Sequence, residues 1–158
     1  MLSPGAMTDI ASRLAELGIA LPEPAAPVAA YVPAVQVGKL LHISGQVSME
    51  NGERMLGRLG EDRDLDYGKR AARACGLMLL AQMRQALGSL DRVERVVKLN
   101  VFVNSAPSFT EQPQVANGAS ELMVQVFGEA GRHARSAVGV AVLPLGVAVE
   151  IDAVVEVK

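Results

Sequence analysis

Residues 135–157 read RSAVGVAVLPLGVAVEIDAVVEV, and the alternation in this run decides what kind of sheet the chain makes. Pairing Val142 with Val147 across LPLG, as a terminal hairpin, gathers Val138, Val140 and Val142 with Val147, Val149 and Ile151 on one face. Arg135, Ala137, Gly139, Glu150 and Asp152 then fall on the other. A register of the opposite parity mixes the two sets, so the hydrophobic pattern itself selects this phase. One face is fit for helices to cover; the other carries a lone cation among small residues and carboxylates. In this register Arg135 and Glu150 are offset by about 13 Å along the strand, too far for a direct pair, and a small ligand fits between their side chains. A guanidinium grips a carboxylate through two parallel hydrogen bonds, while a carboxylate at the far end orients a water or takes a proton. Two plainer readings stay open: Arg135 as a surface residue at a strand start, and Glu150 as an ionic prop for Arg135 or a neighbouring strand.

Working outward, RVVKLNVFVN at 95–104 alternates in the same way, with Val97, Leu99, Val101 and Val103 on one face and Lys98, Asn100, Phe102 and Asn104 on the other. At 31–47, YVPAVQV and LLHISGQV flank Gly38-Lys39 and predict a hairpin in which Val37 faces Leu40. Counting back sets Ser44 opposite Pro33 and Tyr31 opposite Gln46, so Tyr31, Ser44, Gln46 and His42 share a face. Between Asp66 and Leu90, Gly68, Ala72, Cys75, Leu79, Met83 and Ala86 recur at helical steps, and their small size predicts close packing on a sheet. A second helix spans roughly 111–127, with Pro113 confined to its first turn and Gly128 as its stop. Near the N-terminus Thr8 or Asp9 caps a short helix through Ile10, Leu14 and Leu17, followed by the proline-stiffened connector LPEPAAPVAA. The chain therefore divides into an N-terminal helical extension and connector, 1–27, and one domain, 28–158, ordered β-β-α-β-α-β-β. Its two helices cover the valine-rich side of one sheet, and the bare side invites either solvent or self-association.

With 158 residues, half of them apolar, the chain is long enough for one real core. A net charge of −2 and only five aromatics, none of them Trp, argue against nucleic acid as a partner. The single Cys75 excludes an internal disulfide and reads as a small buried helix residue, which fits a reducing, cytoplasmic setting. No membrane-length apolar run and no secretory pattern stand in the sequence. His42 and His133 beside one cysteine give no zinc spacing, and no phosphate-binding glycine motif is present, so nothing calls for a metal or a cofactor. His42 reads as a packed, hydrogen-bonded residue, and His133 either contacts a ligand or begins a strand.

YVPAVQVGKLLHISGQ together with RSAVGVAVLPLGVAVEIDA resembles the RidA (YjgF) family of reactive-intermediate deaminases. Tyr31 stands thirteen residues before Ser44-Gly45-Gln46, and Arg135 fifteen before Glu150 with Leu143-Pro144 between. The resemblance runs from about Tyr31 to the C-terminus. It implies an α+β, chorismate-mutase-like fold assembled as a homotrimer around a central barrel, with clefts between subunits. It also implies cofactor-free hydrolysis of small enamine and imine carboxylates to 2-oxo acids and ammonia. Carried over by motif position, Arg135 clamps the substrate carboxylate, Glu150 helps place the attacking water, and Tyr31, Ser44 and Gly45 line the cleft. Two positions depart from the family pattern. Ala137 stands where active members often have cysteine, and Asn117 is the candidate for an asparagine that has no gap-free match. Two other classes remain: a non-catalytic carboxylate-binding or protein-interaction trimer, and a ribonuclease, against which the acidic charge argues.

Overall fold

Asp9 caps the first helix, α1 (Ile10–Glu16), its carboxylate accepting from the Ser12 N–H at 2.7 Å. The structure is a computed structural model describing residues 9–27 and 29–158; Thr8, the alternative cap, lies outside the described residues, as does the start of the extension. α1 buries Leu14, and its Ile10 N–H donates to the Asp91 carboxylate at 2.9 Å, so the helix is docked on the main body. The hairpin follows as β1 (Ala34–Val37) and β2 (Leu40–Val47), in register from Val37 opposite Leu40 to Ala34 opposite Ile43. A small flap of β3 (Met49–Glu50) and β4 (Glu53–Arg54), absent from the sequence reading, comes next. Asp64 caps α2 (Leu65–Leu87), which Gly88 ends in the left-handed conformation. Then come β5 (Val93–Asn104), α3 (Gln112–Phe127) with Pro113 in its first turn, β6 (Ala134–Val140) and β7 (Val149–Val157). Apart from α1 and the flap, the order is β-β-α-β-α-β-β, and the α+β fold expected of the resemblance is the one observed.

The terminal hairpin does not form. The sheet runs β1-β2-β7-β5-β6. β6 pairs with β5 in parallel, from Lys98 beside Ala134 to Asn104 beside Val140, and β7 lies antiparallel between β2 and β5. The cause is α3: strand, helix and parallel strand form a crossover that delivers β6 to the far side of β5. LPLG then carries the chain over the end of β5 rather than back along β6. There the Asn104 N–H donates to Ala148 O at 2.9 Å and the Ser105 N–H to Val140 O at 3.2 Å. The expected phase holds for β7, which buries Val149, Ile151, Ala153, Val155 and Val157 and turns Glu150 and Asp152 outward. It is inverted for β6. Arg135 aligns with Leu99 and Ala137 with Val101 on the helix side, while Val138 aligns with Phe102 on the open side and is 47% exposed.

A second correction lies in β2. Ile43 pairs with Ala153 but Gln46 with Ile151, so three steps on β2 match two on β7 and a bulge sits at Ser44-Gly45. The extra residue reverses parity. Gln46 turns inward and is buried, Val47 faces outward opposite Glu150, and the expected shared face of Ser44 and Gln46 is broken. His42 also departs from expectation, standing exposed on the open face.

The small residues of α2 serve two neighbours. Cys75 is buried with its thiol on Val149 O at 3.4 Å, against the sheet, whereas Gly76 sits against Leu122 and Ala119 of α3. The helices touch backbone to backbone at Gly118, where a Cβ would overlap the Lys69 carbonyl. Among the described residues no helix is long and apolar enough to cross a membrane.

Candidate active site

The bulge places the first group of candidate residues. By pushing the β2 backbone toward β7 it brings Gly45 so close to Glu150 that any side chain there would collide with the carboxylate. Tyr31, Gly45 and Glu150 line one cavity of about 890 Å³. Ser44 does not line it. Its N–H donates to Pro33 O at 2.9 Å and its hydroxyl to Val32 O at 2.8 Å, which fixes the segment that presents Tyr31. Glu150 is half-buried, and burial first, then the charge of Asp152, pushes its carboxyl above the usual glutamate range. Among the described residues no donor or cation engages that carboxylate. Asp152 is bound instead to the Asn100 amide at 2.7 Å.

The second group sits between β6 and α3. Nη1 of Arg135 donates to Asn117 Oδ1 at 2.8 Å and to Ser120 Oγ at 3.1 Å. Ser120 Oγ also lies 2.8 Å from His133 Nε2, and His133 Nδ1 lies 2.6 Å from Gly131 O. A carbonyl only accepts, so Nδ1 carries the proton and Nε2 accepts from the serine hydroxyl, whose oxygen is left free to receive the arginine N–H. Burial is the main cause that lowers the His133 pKa; the Gly131 carbonyl opposes it and the Arg135 charge reinforces it, so the ring is neutral at pH 7. Among the described residues nothing accepts from Nε or Nη2 of Arg135, and that edge of the fork is open to a carboxylate. Ala137 lies on the same side of the sheet and packs against the core.

The two groups do not meet within one chain. β5 separates β6 from β7. Arg135 belongs to the row of Leu99 and Ala153 on the helix side, and Glu150 to the row of Phe102 and Val138 on the open side. The sequence reading had both on one face because it paired β6 with β7. With β6 inverted, a ligand strung between them along a hairpin is excluded, and so is Glu150 as an ionic prop for Arg135. Ser120 and His133 went unnoticed as partners of Arg135. Their signals were Asn117 and Ser120 at i, i+3 on one helix face, and His133 and Arg135 at i, i+2 on one strand face.

Residues 11–156 match the family described as YjgF/chorismate_mutase-like, a description that adds endoribonuclease as a candidate activity. The chain belongs to this YjgF/RidA family. It is similar to Protein TCP17 of Trypanosoma cruzi, 59% identical over 149 residues that cover 93% of each chain. The crystal structure of the protein Atu1372 with unknown function from Agrobacterium tumefaciens superposes with a TM-score of 0.88 at 50% identity, covering 94% of this chain and 92% of that one. A 2-iminobutanoate/2-iminopropanoate deaminase of Dermatophagoides farinae is 28% identical over 134 residues, covering 84% of this chain and 89% of its own.

Proposed function

We propose that the chain is a cofactor-independent deaminase that hydrolyses reactive 2-imino and enamine carboxylates to 2-oxo acids and ammonia, working as a homotrimer with active clefts between subunits. The observation that carries this reading is the complementarity of two incomplete half-sites. Glu150 has a cavity and a raised pKa but no bonded cation, since Arg54 lines the same cavity without pairing with it, whereas Arg135 has a braced guanidinium with an unpartnered edge but no carboxylate beside it. A cleft that joins the Arg135 side of one subunit to the Glu150 side of the next completes both. The relative named as a 2-iminobutanoate/2-iminopropanoate deaminase supports the chemistry.

In this cleft the open edge of Arg135 binds the substrate carboxylate bidentately, and Asn117 holds the guanidinium from behind. Tyr31 and Gly45 line the reacting end, Ser44 positions Tyr31, and Ala137 leaves room beside Arg135. Water attacks the carbon of the protonated imine while Glu150 takes one of its protons, giving a neutral carbinolamine. Glu150 returns that proton to nitrogen and then takes the hydroxyl proton as the C–N bond breaks, so that the 2-oxo group forms, ammonia departs, and the proton held by Glu150 leaves with it as ammonium. A carboxylate with a raised pKa is better matched to this exchange near neutrality than an ordinary glutamate. The buried, unpaired Cys75 fits a reducing cytoplasm.

Mixing subunits tests the arrangement. Arg135→Ala and Glu150→Gln are each expected to be inactive alone on freshly generated 2-iminobutanoate. Random co-assembly of the two should restore about a quarter of the wild-type sites, since a cleft drawing on two chains is whole whenever it combines the intact half of each. No recovery in co-expressed, co-purified protein would overturn the shared cleft. Carboxylate binding without turnover in the wild type would favour the non-catalytic binding trimer.

A further inference from the structure

The cavity at Glu150 is far larger than a four-carbon acid needs. At about 890 Å³ on the single chain it lies near the top of the roughly 300–1,000 Å³ range that accommodates drug-sized ligands. Gly45 lies against Glu150 in its wall, and Tyr31 lines it too. Much of the remaining wall is apolar, with Met78 from α2, Leu56, Leu145 and the connector segment Ala25-Ala26-Pro27, while Glu53 and Arg54 of β4 and the amides of Gln46 and Gln82 line it as well.

The connector is pinned there by a buried polar latch. Gln82, only 2% exposed, donates from Nε2 to Ala25 O at 2.8 Å and to Gln46 Oε1 at 3.3 Å. Gln46, turned inward by the bulge, donates in turn to Ser44 O at 2.9 Å. The Nε2 of each amide is thus engaged, that of Gln82 by the connector and Gln46 and that of Gln46 by the backbone. Leu145 adds an independent sign. It lines the cavity 59% exposed at φ 62°, in the left-handed region that favours glycine, so an apolar side chain is kept at the mouth against the backbone preference.

We infer that the site takes 2-imino acids bearing a long apolar side chain, and that the connector Ala25-Ala26-Pro27, latched by Gln82, is the wall that reads the chain's length. This rests on the imine-acid reading of the same site: the carboxylate and imine lie at the Glu150 end, and the tail runs between the connector, Met78 and Leu145.

Calorimetric titration of the full chain with straight-chain 2-oxo acids, from 2-oxobutanoate to 2-oxooctanoate, tests the inference. A buried methylene is worth up to about fourfold in affinity, so a gain of about two- to fourfold per carbon and about twentyfold to two-hundredfold across the series is expected. Ala26→Trp, at an exposed position that should not disturb folding, fills the cavity from the connector. It should cut the ratio of 2-oxooctanoate to 2-oxobutanoate affinity at least tenfold. The inference is overturned if 2-oxooctanoate binds no more tightly than 2-oxobutanoate, including the case in which neither binds. An unchanged ratio in a folded Ala26→Trp protein overturns the connector's part. The hydrolase reading fails separately, if imines of every chain length disappear at the uncatalysed rate while the affinity series still climbs.

Discussion

Arg135 and Glu150 are both half-buried charged groups on sheet strands, yet they are held in opposite ways. Arg135 is braced: one nitrogen has two acceptors, one of them backed by a neutral histidine that is itself tied to a carbonyl. Glu150 is left bare, with no bonded partner among the described residues and a second carboxylate for a neighbour. Bracing fixes the direction of a charge and suits a group that must recognise a planar anion. Leaving a carboxylate desolvated raises its proton affinity and suits a group that must exchange a proton. The contrast assigns recognition to one half-site and reactivity to the other before any ligand is considered.

The largest test of that contrast is Glu150→Gln. Single-turnover hydrolysis of freshly generated 2-iminobutanoate should fall by about 10²- to 10⁴-fold, while calorimetric affinity for 2-oxobutanoate stays within about threefold; equal losses in both would erase the division of labour. In the wild type, the acid limb of kcat/KM should lie above the pH at which an exposed glutamate titrates, because the base is needed ionised and its pKa is raised. Next in size, Arg135→Lys keeps the charge and loses the planar fork, so 2-oxobutanoate affinity should drop by about ten- to a hundredfold. Wild-type affinity in that variant would remove Arg135 from recognition.

A smaller effect is expected behind the arginine. Ser120→Ala removes one of the two acceptors on Nη1, and KM should rise by about two- to tenfold with kcat nearly unchanged. Ser120→Thr should restore KM, which a purely structural role for the hydroxyl would not require. The smallest effect is on stability. Because the folded state raises the Glu150 pKa, it binds that proton more tightly than the unfolded chain. The stabilisation from this group is therefore full below the ordinary glutamate range and is lost as pH rises through the raised pKa. Glu150→Gln should melt at a higher temperature than wild type at pH 8, with the gap closing on acidification; a lower melting temperature at pH 8 would mean that the carboxylate is a structural support after all.

What the sequence disclosed follows the range of the interactions. The cap at Asp9, Pro113 in the first turn of α3 and the hairpin register from Val37 to Ala34 depend on residues a few positions apart and could be read directly, whereas the long helix, read between Asp66 and Leu90, starts from Asp64 and stops at Gly88. The phase of β7 was legible because five alternate apolar residues point one way. The neighbours of β6 were not, since alternation records which side of a strand is buried and says nothing about which strand lies beside it. The bulge at Ser44-Gly45 was equally silent, because it is defined by a partner more than a hundred residues away. For the site, the strand pattern itself raised Arg135 and Glu150, and the family resemblance added Tyr31, Ser44, Gly45, Ala137 and Asn117. His133 was weighed as a ligand contact or a strand start, but its bond to Ser120, the bracing of Arg135 by Ser120 and the latch at Gln82 were visible only once α3 and the connector had been placed.

The position of β7 has a consequence for how the chain comes to exist. The last of these strands in chain order is the middle strand of the sheet, paired on both edges, with β2 on one side and β5 on the other. Until β7 has emerged from the ribosome, β2 and β5 each keep an open edge facing a gap. Such edges are templates for the wrong partner, including another nascent copy. Sheet closure therefore waits for β7, and a product truncated before residue 149 lacks the centre of its sheet rather than a dispensable tail.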